Sequence, residues 1–188
     1  MDKTKILCVI DVQNDFITGS LKNEQALSVV PNIIKKIDEF KGDTIFVTQD
    51  THFPDYLSTK EGRNLPVEHC IKGTKGWEIN GDVKRALDKA KNRGVKVSYI
   101  EKNTFGSFNL IVSLQNALKD LDWENYVTSQ IEFIGFCTDI CVVSNVLLAK
   151  AEFYDTNISV DSSCCAGVTP ESHSAALKTM EMCQIKIV

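Results

Sequence analysis

The sequence predicts a three-layer α/β/α domain built on a mostly parallel, roughly six-stranded sheet of Rossmann type. Short β-branched, apolar runs alternate along the chain with segments of helical periodicity. Several of these runs are too uniformly apolar to leave one face in water, which is the mark of parallel strands covered on both sides. Right-handed crossovers then leave few topologies other than helices packed on both faces of the sheet. At 188 residues the chain reads as a single domain over residues 1–188, long enough to bury about two-thirds of its unfolded surface.

The first predicted strand is Lys5–Val12 (KILCVIDV). A helix follows in which Ala26, Leu27, Val30, Ile33, Ile34, Ile37 and Phe40 share a face, with Pro31 marking a first turn or a kink because it has no N–H to donate. Thr44–Thr48 is the second strand. Asp50–Gly81, rich in Gly, Pro, Asn and Thr, reads as one long irregular stretch, and insertions of that length in compact domains are usually functional. Val95–Ile100 is the third strand, and a helix carries Leu110, Ile111, Leu114 and Leu118 on one face. Ile131–Phe136 is the fourth strand, followed by a helix with Val142, Val146, Ala149 and Phe153 aligned. Asn157–Val160, a helix opening at Pro170-Glu171 and a final strand Gln184–Val188 complete the series.

Composition narrows the function classes. Hydrophobic residues at 43% and charged residues at 24% are ordinary globular usage. Lys plus Arg number 21 against 25 Asp plus Glu, with no basic block interleaved with aromatics, so no nucleic-acid partner is expected. No apolar run approaches the roughly 18 residues of a membrane helix, and Met1–Lys5 leads straight into a strand without a signal-peptide pattern, so no membrane association and a cytoplasmic location are expected. Seven cysteines, an odd count without a CxxC pair, read as reduced thiols; Cys8, Cys164, Cys165 and Cys183 are assigned to the core as small hydrophobes.

Open α/β sheets bind ligands beyond the carboxyl ends of their strands, and four reactive side chains collect there. Asp11 closes the first strand region, Asp50 follows the second, Lys102 the third, and Cys141 lies beyond the fourth at a strand-to-helix junction. The first turn of a helix favours a thiolate, and cysteine, base and orienting cation are the parts of an activated nucleophile. Asp50-Thr-His52, with His69 further along, has spacing suited to a divalent-metal site, and Glu61 is a candidate fourth donor in the same loop, although a Glu in a Lys-Glu-Gly-Arg stretch is more often solvated. His173 reads as a surface or packing residue.

Asp11-Val-Gln-Asn-Asp15-Phe16, Glu101-Lys102-Asn-Thr-Phe105, Gly135-Phe-Cys-Thr-Asp-Ile-Cys141 and Cys164-Cys165-Ala-Gly-Val-Thr-Pro170-Glu171 together resemble the motifs of the isochorismatase-like cysteine hydrolases, most of all their nicotinamidase branch, over essentially the whole chain. That resemblance implies Asp11, Lys102 and Cys141 as catalytic residues and a cis peptide between Phe136 and Cys137. It also implies an oxyanion hole made by the Cys137 and Cys141 amides. Metal ligands would be Asp50, His52, His69 and Glu61, for a divalent ion, Zn before Fe or Mn. Phe16, Leu21 and Phe105 would line the substrate pocket, with Leu65 where many relatives carry a Trp. The implied activity is hydrolysis of nicotinamide or a pyrazinamide-like carboxamide through a thioester, in a homo-oligomer acting on a small-molecule amide. Two other readings stay open: a cysteine amidohydrolase of the same family using a carbamoyl or ureido substrate, and a non-catalytic metal-binding protein of this fold.

Overall fold

A computed structural model describes residues 4–188; Met1–Lys3, on which the expectation of no signal-peptide pattern partly rests, lie outside them. Six strands, β1 (Lys5–Ile10), β2 (Thr44–Asp50), β3 (Lys96–Lys102), β4 (Gln130–Phe136), β5 (Asn157–Ala166) and β6 (Lys186–Ile187), form one sheet in the order β3-β2-β1-β4-β5-β6. Every neighbouring pair is parallel. The chain steps outward from β1 through β2 to β3 and then returns to the other side of β1 with β4. The order therefore reverses between β1 and β4, and the crevice beyond their carboxyl ends is where such a sheet holds ligands.

The helices are α1 (Asn14–Ile17), α2 (Glu24–Glu39), α3 (Lys60–Asn64), α4 (Gly81–Asn92), α5 (Phe108–Leu118), α6 (Trp123–Thr128), α7 (Val143–Glu152) and α8 (Pro170–Met182). Because successive strand side chains face opposite ways, β1 feeds two cores. Ile6, Cys8 and Ile10 pack with Leu110, Leu114, Val146, Ala149 and Met180 of α5, α7 and α8. Leu7 and Val9 pack with Val30, Ile33, Ile37, Val83 and Leu87 of α2 and α4. Each fully buried side chain of this kind stabilises the fold by about 1.5–3 kcal/mol relative to exposure, so both faces of the sheet are committed.

Local chemistry sets the element ends. Asn23 opens α2 by accepting from the Gln25 and Ala26 amides, and Thr169 opens α8 through a reciprocal bond with Ser172. β1 stops at Ile10, two residues short of the range read from the sequence, because Asp11 takes a left-handed φ of 49°. β5 runs on to Ala166 through polar residues whose pattern had not read as strand. Pro31 lies well inside α2, and Leu27, assigned to its apolar face, is exposed. Helix α4 went unread, since two of its four buried residues, Ala86 and Ala90, give little hydrophobic signal. The Asp50–Gly81 stretch is also less irregular than expected, with a 3-10 turn at Tyr56–Ser58 and α3 within it. Cys8, Cys164 and Cys165 are buried, but Cys183 is exposed; it caps the end of α8 at the surface.

Candidate active site and metal centre

Asp11, Asp50, Lys102 and Cys141 come together at the carboxyl edge of the sheet. Parallel register sets Asp50 of β2 opposite Lys102 of β3, and Asp11 follows β1, the other neighbour of β2. The Lys102 Nζ lies 2.6 Å from Asp11 Oδ2 and 3.6 Å from Asp50 Oδ1, and it donates to Cys141 Sγ at 3.5 Å. Asp11 is wholly buried; its Oδ1 accepts from the Thr48 hydroxyl at 2.6 Å, and its N–H donates to Thr48. A left-handed φ is uncommon for a non-glycine residue and collects at functional sites.

Electrostatics divide the labour among these groups. Burial raises the Asp11 carboxyl, which the Lys102 charge offsets only in part. Burial opposes the Lys102 ammonium, yet the charges of Asp11 and Asp50 outweigh it and keep the amine protonated. For Cys141, burial and then Asp11 push the thiol well above its ordinary value, with Lys102 opposing. Burial thus works against the thiolate that a helix terminus favours. Cys141 sits in a wide π-helical turn, Thr138–Val142, that leads into α7, and its burial outweighs the amide dipoles there.

Gly135, at φ 122°, lets β4 approach β1, because a Cβ there would collide with the Ile10 carbonyl. The following Phe136–Cys137 peptide is cis. Asn145 Nδ2 donates to the Cys141 carbonyl at 2.8 Å and to the Phe105 carbonyl at 3.1 Å, while its Oδ1 accepts from the Ser107 amide. One buried amide thus fastens the turn to the segment after β3.

The second cluster lies at the end of β2. Asp50 Oδ2 is 3.1 Å from His52 Nε2 and 3.5 Å from His69 Nε2, and all three residues are buried. Glu61 Oε1 is 3.7 Å from His52 Nε2 and 3.9 Å from His69 Nε2. Donors about 2.1 Å from one ion are separated by roughly 3.0–3.4 Å, so the first three fit a shared ion and Glu61 stands slightly outside. His69 Nδ1 lies 2.8 Å from the Val67 carbonyl, the contact that turns Nε2 of a ligating imidazole toward a metal. Burial would raise the Asp50 carboxyl, but the hydrogen bonds from His52 and His69 and the Lys102 charge hold it well below the usual range. Two imidazoles and a buried carboxylate suit a divalent transition metal.

A cavity of about 690 Å³ joins the clusters. Asp50, Glu61, His69, Cys137 and Cys141 line it, as do Phe16, Leu21, Leu65 and Phe105. His52 is not among its lining residues and meets the cluster from behind, against the Tyr56 ring at 4.7 Å.

Several supporting residues escaped the sequence reading. Gln13 bonds both backbone groups of Asp50 at 2.8 Å, its Nε2 donating to the carbonyl and its Oε1 accepting from the amide. Asp15 accepts from the Cys70 amide at 2.7 Å, which holds the chain beside His69. Gln13 and Asp15 lie in the motif that begins at Asp11, the one signal that pointed to them. Thr48 and Asn145 carried no signal, since their partners are remote in sequence.

Residues 5–188 match the isochorismatase domain family. The chain is similar to the nicotinamidase of Schizosaccharomyces pombe, 28% identical over 212 residues that cover 97% of this chain and 91% of that protein. The nicotinamidase/pyrazinamidase of Bacillus subtilis superposes with a TM-score of 0.83 at 27% identity, over 98% of this chain and 99% of that one. The Pyrococcus horikoshii pyrazinamidase, solved in complex with zinc, matches the fold with a TM-score of 0.72 at 22% identity, over 98% of each chain.

Proposed function

The chain belongs to the isochorismatase family, and we propose that it hydrolyses nicotinamide, or a pyrazinamide-like aromatic carboxamide, to the acid and ammonia through a thioester on Cys141. The observation that supports this most is the pairing at one cavity of Cys141, in contact with the Lys102 that also holds Asp11, with Asp50 and His69, which together with His52 behind them form the donor cluster. A carbamoyl hydrolase needs the first group alone. The similarity to the nicotinamidases of fission yeast and B. subtilis agrees with this substrate class.

In this reading Asp11 is the base. Its raised carboxyl takes the Cys141 proton as sulfur attacks the carboxamide carbon, and Lys102, within 3.5 Å of the sulfur and 2.6 Å of the carboxylate, stabilises the charge wherever it resides. The Cys137 and Cys141 amides receive the developing oxyanion; loss of a single such donor costs about 3 kcal/mol in other hydrolases. Asp11 returns the proton to the departing nitrogen, which leaves as ammonia. The same carboxylate then removes a proton from water as that water attacks the thioester, and the released sulfur is reprotonated.

Asp50, His52 and His69, with Glu61 as a fourth donor, would hold the metal, zinc first among the candidates by donor chemistry and by the zinc complex of the P. horikoshii relative. When bound, the ion supplies a Lewis-acidic point for a ring nitrogen, a positioning contribution. Phe16 lies 5.9 Å from the His69 ring and, with Phe105 and Leu65, offers apolar walls for a flat heterocycle. A homo-oligomer acting on a small amide in the cytoplasm is part of the same proposal.

The test is ammonia release from nicotinamide by wild type and Cys141→Ala, with metal content measured on both. The expected result is a loss of at least about a thousandfold in the variant with metal retained. A metal-loaded, folded wild type that releases no ammonia would overturn the substrate assignment, and an active Cys141→Ala would overturn the nucleophile.

A further inference from the structure

We propose that His173 is a positioning residue for the nucleophile turn, acting through Thr138. The proposal rests on Cys141 being the nucleophile. His173 is half-buried on the first turns of α8, and its Nδ1 lies 2.9 Å from the Thr138 hydroxyl. Thr138 is the first residue of the turn, wholly buried, and this is the one hydrogen bond its side chain makes among the described residues.

The turn is held from two sides. Its own continuation into α7 supplies Ser144, which donates to the Ile140 carbonyl, and Asn145, which donates to the Cys141 carbonyl. Both act on the turn's closing half. The opening half has the turn's own backbone bonds, in which the Cys137 carbonyl accepts from the Ile140 and Val142 amides; among the described residues, the hydrogen bonds that reach its side chains come from the α8 side. There the Val168 amide donates to the Asp139 carboxylate at 3.0 Å, and His173 meets Thr138. His173 is the only side chain from another element in that set. Its placement is itself enforced, because a Cβ on Gly167 would collide with the His173 backbone and Cβ, so α8 lies directly against the loop before it. Asn23 donates to the Gly167 carbonyl at 2.6 Å, which fastens that loop from the far side of the cavity.

The consequence is one of aim. The Cys141 sulfur must keep its 3.5 Å contact with Lys102 while the Cys137 amide faces the carbonyl oxygen, and misplacement by about 1 Å costs on the order of a hundredfold in rate. An Asn at position 173 would place an amide nitrogen the same number of bonds from Cα as the imidazole Nδ1. It can therefore keep the bond to Thr138 while losing the ring.

The experiment compares His173→Ala, His173→Asn, Thr138→Val and the Ala/Val double variant by steady-state kinetics on nicotinamide and by the iodoacetamide labelling rate of Cys141, which needs no amide substrate. Metal content and thermal midpoint are measured alongside. For His173→Ala the expectation is a fall in kcat of about tenfold with KM within about twofold, a parallel slowing of labelling, and unchanged metal. His173→Asn should recover most of both rates, and the double variant should be no worse than either single one. Wild-type kcat and labelling in a folded His173→Ala would overturn the proposal, as would faster labelling, which means a loosened turn. If wild type itself does not hydrolyse nicotinamide, labelling alone decides: slowed in Ala and restored in Asn upholds the positioning role, and anything else removes it.

Discussion

Asp11 carries two demands that pull against each other. Its negative charge opposes formation of a thiolate at Cys141, and as the proposed base it is what lets sulfur lose its proton. Asp11→Asn separates the two effects. The substitution removes a negative charge and leaves the Lys102 ammonium, 3.5 Å from sulfur, less neutralised, so the thiol should fall toward its ordinary range and label with iodoacetamide at least as fast as wild type at neutral pH. Turnover should nevertheless drop by about 10²–10⁴, because nothing remains to return a proton to the leaving nitrogen. Turnover within tenfold of wild type would remove Asp11 from the acid–base role. The variant should also be less stable: Lys102 is almost fully buried, and a buried cation that loses its closest partner costs about 3–5 kcal/mol, reduced here by Asp50 at 3.6 Å.

Helix α2 is tied to the sheet by more than its apolar face. Lys36 reaches Glu132 of β4 at 3.0 Å and Asp161 of β5 at 2.7 Å, and Asp161 also accepts from the Ser163 amide and hydroxyl. Burial would raise the Asp161 carboxyl, but the bonds from Lys36 and Ser163 outweigh it and lower the carboxyl below its ordinary 3.8. A carboxyl lowered on folding contributes stability that is present above its unfolded value and lost as pH falls through its folded one. Asp161→Asn should therefore lower the urea midpoint at pH 7, by an energy on the order of 1 kcal/mol because the Lys36 end is solvent-screened. The gap from wild type should narrow as pH falls below 3.8; a gap of constant size from pH 7 down to acid would sink the ion-pair account. Elements such as α2 were legible from sequence because apolar side chains recur every turn. Helix α4 was not, since alanines bury little area, and the polar half of β5 was not, since Asp161 and Ser163 are satisfied by partners the sequence cannot place. The strand ends gave away Asp11, Asp50 and Lys102, whereas Gln13, Thr48 and His173 act on residues that only folding brings near.

Across the molecule, the Asp50–His52–His69 cluster joins the end of β2 to the far end of a loop whose Glu61 and Leu65 line the cavity. Asp50 is anchored through Gln13 to the chain leaving β1, and the residue after His69 through Asp15 to the start of α1. An ion held by these donors would bind the folded chain and not the unfolded one, which pulls the folding equilibrium toward the native state. At a free zinc concentration a hundredfold above Kd the stabilisation is about 2.7 kcal/mol, and for a chain of this length that corresponds to a rise in thermal midpoint of roughly 5–10 °C. Chelation should therefore lower the midpoint by that amount, and added zinc should restore it. His52→Ala should lose the zinc response altogether while keeping Cys141 open to iodoacetamide, because His52 meets the cluster from behind and does not line the cavity. Glu61, farther from both imidazoles and more exposed than the other donors, should behave differently: Glu61→Gln is expected to retain a midpoint rise but to need more zinc for it. A wild-type midpoint that ignores both chelator and zinc would show that the cluster does not bind a metal tightly in the folded chain, and the positioning contribution assigned to the ion would fall with it.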